Sequence, residues 1–261
     1  MLRGAAFAVL SLLWAGSCAA SGINFYSLKH EAALGRQMAL EVERQAKLSD
    51  DAQVDEYVNR LAQNLAKQAD VQFPVTVKII QSDELNAFTL PGGHIFVNTG
   101  MLRVTASEAE LASLLAHEIG HVAARHLTRQ ASRSELLRTG LAPLESMAGI
   151  SGVLARELGR MGLPLGTLHF SREFESEADQ LGVHYLFAAG YDPGAAVDLL
   201  ERIEAAERRR SGTVSRLYET HPATVDRIHR VEKAIARLKT GDLALAVNTS
   251  QYEEIRKRLA H

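Results

Sequence analysis

His117-Glu118-Ile119-Gly120-His121 lies inside a run from Ser107 to Thr128 that reads as one long helix, and the reading of the whole chain turns on it. Four residues apart on a helix, His117 and His121 project both imidazoles from one face. That spacing suits two ligands of a tetrahedral zinc site. Glu118 lies one position on, where its carboxylate reaches a water held by the ion without ligating the ion itself. Zinc lowers the pKa of such a water to about 7, and a carboxylate beside it accepts the proton as the water attacks a polarised peptide carbonyl. Each residue type then has its own task. A pair of histidines on an amphipathic helix also occurs without any metal, so the reading requires a third ligand from a separate element.

Glu175 and Asp179 offer one, within Ser171-Arg172-Glu173-Phe174-Glu175-Ser176-Glu177-Ala178-Asp179. A helix is expected over about 171–189, and the four-residue spacing puts both carboxylates on one face. One can bind a metal while the other accepts the N–H of a ligand histidine and fixes its tautomer. Spacing alone leaves Glu173 and Glu177 as rivals for the ligand role, although the default for charged residues on a helix is a solvated face.

The flanking sequence predicts a mostly helical α+β domain. Leu34, Met38 and Val42, then Val54, Tyr57, Val58, Leu61 and Leu65, recur at helical spacing across residues 28–69, with Ser49-Asp50-Asp51 as an N-cap cluster for the second helix. Phe73 to Ile80 alternates around β-branched residues and reads as a strand. Phe88-Thr89-Leu90 and His94 to Asn98, joined by Pro91-Gly92-Gly93, read as a hairpin. Further helices are expected over about 193–209 and 222–239, with Gly241 closing the last. Arg208-Arg209-Arg210 beside Glu204 and Glu207 reads as a solvated helix end. Residues 130–169 are too often interrupted by charge for a membrane span, and read equally as a mobile cover over a cleft or a packed helical connection.

The first twenty residues differ from the rest: Arg3, an apolar run from Ala5 to Trp14, then Ala15-Gly16-Ser17-Cys18-Ala19-Ala20. A basic start, a short apolar run and a small-residue end make a secretory signal. Cys18 is the only cysteine, so the mature chain holds no internal disulfide and relies on its core. Two readings of it stay open: cleavage after Ala19 or Ala20, or a lipobox with Cys18 as the lipidated first residue of a membrane-anchored protein. With 46% apolar residues, 23% charged and a formal net charge of −2, nothing global calls for nucleic acid as partner.

Beside these readings stands a resemblance. His117-Glu118-Ile119-Gly120-His121, then Phe170 to Asp179, then Thr220-His221-Pro222 with Arg227 six residues after the His, resemble the zinc metallopeptidase family of the protease HtpX and the CAAX prenyl protease. The likeness is closer to an exported bacterial branch without the membrane spans of those two, and covers roughly residues 25 to 240. It implies a zincin fold, one zinc held by His117, His121 and Glu175, Glu118 as general base, and Asp179 behind a ligand histidine. It also implies that His221 and Arg227 reach into the active site, where the His stabilises an oxyanion or occupies the open metal position at rest. The hairpin from Asn86 to Val97 is similar to one whose edge strand lines the family's cleft; near Ile95–Asn98 an unfolded substrate would add a strand through main-chain bonds.

The resulting expectation is a signal at 1–20, a metallopeptidase domain at 25–240 and a packed tail at 241–261. The protein is expected in the periplasm as a zinc endopeptidase in envelope protein quality control. A zinc-stabilised chaperone or binding module, and a zinc amidase acting on peptidoglycan, are the alternatives. The remaining histidines, His126 among them, read as structural or exposed.

Overall fold

The computed structural model describes residues 22–139, 170–209, 221, 225–239 and 243–259. Helices α1 (Leu28–Gln45) and α2 (Ala52–Ala66) precede strands β1 (Thr76–Ile80), β2 (Ala87–Leu90) and β3 (His94–Asn98). Helices α3 (Thr99–Val104), α4 (Glu108–Ala123), α5 (His126–Thr139), α6 (Arg172–Ala188), α7 (Ala195–Arg209), α8 (Val225–Ile235) and α9 (Ser250–Leu259) follow. The class is therefore the expected one, mostly helical with a small sheet. The signal, Cys18, residues 140–169 of the interrupted segment, and Gly241 lie outside the described residues. Among the described residues no helix is long and apolar enough to cross a membrane.

Polar residues set the helix starts. Ser27, Asp51, Ser107 and Ser171 each accept a bond from a first-turn backbone N–H of α1, α2, α4 and α6, supplying partners for groups that lack an intrahelical acceptor. Helix α4 is buried nearly all round, from Glu108 to Val122, as expected of a central helix. It packs against β2, α2, α6 and α7.

The sheet order is β1-β3-β2, with β3 parallel to β1 and antiparallel to β2. Side chains alternate across it as the two-residue period of a strand requires. Ile95 and Val97 enter the core with Leu115 and Ile119, whereas Phe96 stacks on Phe88 at 5.2 Å and joins Leu34, Met38 and Val42 of α1. Gly92 and Gly93 take φ of 77° and 88° in the turn between β2 and β3, a region open to glycine.

Two expectations are corrected. Ile95–Asn98 is not an edge: β3 is central, with both sides paired. The strand with no partner on its outer side among the described residues is β2, since β1 is flanked by Leu48. The helix begun at Ser107 does not run to Thr128; it breaks at Arg125, whose φ is 55°. That conformation costs a non-glycine residue about 1–2 kcal/mol. Arg125 is held there by its side chain, which donates to Glu31 Oε2 at 2.7 Å and to the Tyr26 carbonyl at 2.5 Å. Within the tail expected at 241–261, Ser250–Leu259 forms helix α9, whose buried Tyr252 donates to the Thr105 carbonyl at 3.1 Å.

Candidate metal centre

Helices α4 and α6 cross at glycines. A Cβ on Gly120 would lie 2.9 Å from the Ala178 carbonyl oxygen, and one on Gly182 would lie 3.1 Å from the His117 backbone. The close approach sets Glu175 and Asp179 of α6 beside His117 and His121 of α4. His221 and α8 close the group from a third direction.

His117, His121, Glu175 and His221 each offer a ligand atom, all within 4.8 Å of one another. His117 Nε2 and His121 Nε2 are 3.1 Å apart; Glu175 Oε1 is 3.4 Å from His121 Nε2, and Oε2 is 3.5 Å from His117 Nε2. Bonds of 2.0–2.2 Å to a tetrahedral ion put neighbouring donors roughly 3.4 Å apart, so this set fits such an ion. His221 Nδ1, at 3.4 Å from His117 Nε2 and 2.7 Å from Glu175 Oε1, is close enough to the set to offer a fourth donor. Glu175 Oε2 is buried without a hydrogen-bond partner, with Arg227 Nη1 the facing cation at 3.5 Å.

Charge within the cluster points the same way. Burial opposes ionisation of Glu175, but His221, Arg227 and the two rings outweigh it and hold its carboxyl well below the usual range. Burial and Arg227 push His117 down, yet the Asp179 and Glu175 carboxylates beside it prevail and lift it to about 9. His121, with burial dominant, is pushed well below the ordinary value. The space between these groups thus favours positive charge.

Asp179 Oδ1 lies 3.0 Å from His117 Nδ1, on the ring nitrogen away from the cluster. Arg227 donates to both Asp179 oxygens, at 3.0, 2.9 and 2.8 Å. Its charge outweighs burial and holds the Asp179 carboxyl at about 2. Arg227 Nη1 also donates to the His221 carbonyl at 3.2 Å. Arg227 Nη2 also lies 3.1 Å from both ring nitrogens of His117, and Nη1 lies 3.5 Å from Glu175 Oε2, so the guanidinium touches the cluster while pairing with Asp179.

Glu118 is 1% exposed. Its Oε2 accepts from Thr89 Oγ1 at 2.7 Å, and its Oε1 is 3.7 Å from His221 Nε2. A small, largely aliphatic pocket adjoins His117, Glu118 and His221, walled by Leu114, Val183, Leu199, Leu200, Ile203 and Val231.

Sequence reasoning missed three neighbours. Thr89 carried no sign of its role beyond its place in the hairpin. His126, read as structural or exposed, is wholly buried with Nδ1 2.9 Å from His121 Nδ1. Glu177, read as solvated, meets His126 Nε2 at 3.2 Å and Arg129 at 3.0 Å. The signal that could have found this pair is the return of His126 five residues beyond His121, which matters only once the helix breaks between them. Glu173, by contrast, is largely exposed and pairs with Arg133.

The family model for peptidase family M48 matches residues 50–235. The chain is 30% identical over 227 residues to the beta-barrel assembly-enhancing protease of Yersinia pestis, covering 82% of this chain and 45% of that protein. The protein of the same name in Escherichia coli K12 is 30% identical over 216 residues, 77% of this chain and 43% of that one. The mitochondrial metalloendopeptidase OMA1 of Schizosaccharomyces pombe is 34% identical over 180 residues, 68% of this chain and 52% of that one. The chain thus spans less than half the length of these two bacterial relatives.

Proposed function

The chain belongs to peptidase family M48 and is a metallopeptidase, and from that premise we propose that it is a zinc endopeptidase cutting misfolded proteins in the bacterial envelope. The observation that carries the reading is the convergence of His117 Nε2, His121 Nε2 and Glu175, with a wholly buried Glu118 beside them. His117, His121 and Glu175 would hold the ion, which when bound supplies Lewis acidity to the scissile carbonyl and to a water. Glu118 would take the proton of the attacking water and pass it to the leaving amine. Thr89 holds the carboxylate in place while this happens. Asp179 accepts the Nδ1 proton of His117, leaving Nε2 with its lone pair turned to the metal. Arg227 fixes Asp179 in turn. His221 would offer a fourth donor at rest and give way to substrate.

The pairing pattern supports a substrate strand on β2. Asn98 N–H donates to the Asn86 carbonyl at 2.9 Å, so by antiparallel alternation Ala87 and Thr89 turn their main-chain groups to the outer edge. A peptide bonded there through backbone groups is read with little dependence on sequence, which suits unfolded substrates. The aliphatic pocket favours an apolar side chain beside the cut. Export rests on the leader at residues 1–20, and the envelope substrates rest on the bacterial relatives' name. The mass of the mature N-terminus separates a lipidated Cys18 from cleavage after Ala19 or Ala20.

Metal analysis of the purified chain tests the site. One zinc per chain is expected, with His117→Ala and Glu175→Ala losing it; retention in both variants contradicts the ligand set.

A further inference from the structure

We infer that Glu177 and His126 form a hydrogen-bonded relay that fixes His121 in the tautomer whose Nε2 lone pair is free for the metal. The inference rests on the metal-site reading above and deepens it.

The protons can be followed from one end. Glu177 Oε2 is 3.2 Å from His126 Nε2, and Arg129 Nη1 donates to both Glu177 oxygens at 3.2 and 3.0 Å. A carboxylate so placed only accepts, so His126 carries its proton on Nε2. A neutral imidazole with hydrogen on Nε2 offers a lone pair at Nδ1. His126 Nδ1 faces His121 Nδ1 at 2.9 Å, and of two ring nitrogens at that distance one must donate. His121 Nδ1 is therefore the donor. Its Nε2, 3.1 Å from His117 Nε2 and 3.4 Å from Glu175 Oε1, is left with a lone pair directed at the cluster. Asp179 does the same for His117 directly; His121 receives it through a second ring.

The fold is arranged around this contact. Arg125 takes its left-handed conformation one residue before His126, and α5 starts at His126 itself. The break returns His126 over the face of α4 that carries His121. Its ring stacks on Phe174 at 4.6 Å and 19°, and His121 stacks on Phe170 at 4.1 Å and 23°. His126 is a positioning residue: it touches the ligand ring and nothing that reacts.

The test is zinc affinity of the full chain by chelator competition, with thermal unfolding of each metal-stripped variant recorded alongside. His126→Asn puts an amide oxygen near the place of Nδ1 and keeps an acceptor for His121; affinity should stay within about threefold of wild type. His126→Phe keeps an aromatic ring against Phe174 but accepts nothing, and affinity should fall about 10- to 100-fold. Packing alone would give the opposite order, so a Phe variant binding zinc as tightly as the Asn variant overturns the inference. Should the Phe variant fail to fold, Glu177→Leu against Glu177→Gln asks the same question from the half-exposed end of the relay. Gln retains an acceptor for His126 Nε2–H and Leu does not, so Leu should bind zinc more weakly; equal affinity in the two overturns the relay. A wild-type chain with no zinc affinity overturns the metal reading itself, whereas wild-type binding lost in His117→Ala but unchanged in His126→Phe overturns the relay alone.

Discussion

Thr89 Oγ1 on the sheet donates to Glu118 Oε2 on the central helix at 2.7 Å, tying the strand proposed to receive substrate to the proposed base. The bond orients a buried carboxylate whose other oxygen is 3.7 Å from His221. Thr89→Val keeps the branched shape and removes the donor. A hydrogen bond to a charged group contributes about 1.5–3 kcal/mol, so kcat should fall at least about tenfold with zinc content unchanged. Unaltered kcat would remove Thr89 from the machinery.

Gly120→Ala tests the helix crossing. In an exposed helix interior this substitution stabilises by about 1 kcal/mol. Here the added Cβ would meet the Ala178 carbonyl at 2.9 Å, and crowding of a packed core costs about 1–3 kcal/mol. Thermal unfolding should show a lower midpoint and weaker zinc binding; a stabilised variant would contradict the close approach of α4 and α6.

His221→Ala separates two roles. If His221 Nδ1, 2.7 Å from Glu175 Oε1, blocks the position that substrate must take, its removal should raise kcat/KM for casein while zinc is retained. A fall instead assigns His221 to stabilising charge during the reaction.

The Asp179–Arg227 pair predicts acid sensitivity of a definite sign. Asp179 is held at about 2, below its ordinary 3.8. A depressed carboxyl contributes stability that is full above the unfolded value and is lost as pH falls through the folded one, here between about pH 4 and 2. That shift corresponds to about 2 kcal/mol. Metal-stripped Asp179→Asn should be less stable than wild type at neutral pH, with the gap narrowing across that window. A gap independent of pH would show that the Asp179 charge contributes nothing to it.

Much of the site was legible because it is written in helical spacing. His117 and His121, like Glu175 and Asp179, are four apart, and the helices that carry them lie close to where periodicity set them. The resemblance chose Glu175 among its neighbours; spacing did not. What escaped depends on contacts distant in sequence. Arg125 leaves the helix because Glu31 and the Tyr26 carbonyl, almost a hundred residues earlier, receive its side chain. Without that break His126 looks like any isolated histidine, and Glu177 like a solvated one. The edge strand was misplaced for a similar reason. The hairpin of β2 and β3 is local, but the parallel pairing of β1 with β3 is not, and that pairing makes β3 central. Helix α9 is short and highly charged, and is held by the contact of Tyr252 with Thr105.

Glu118→Gln decides whether Glu118 acts as the base of a zinc endopeptidase. Zinc content and cleavage of casein should be measured on the same preparation of wild type and variant. One zinc per chain is expected in both, with no cleavage by the variant; wild-type turnover by a zinc-loaded Gln variant would rule out Glu118 as the base.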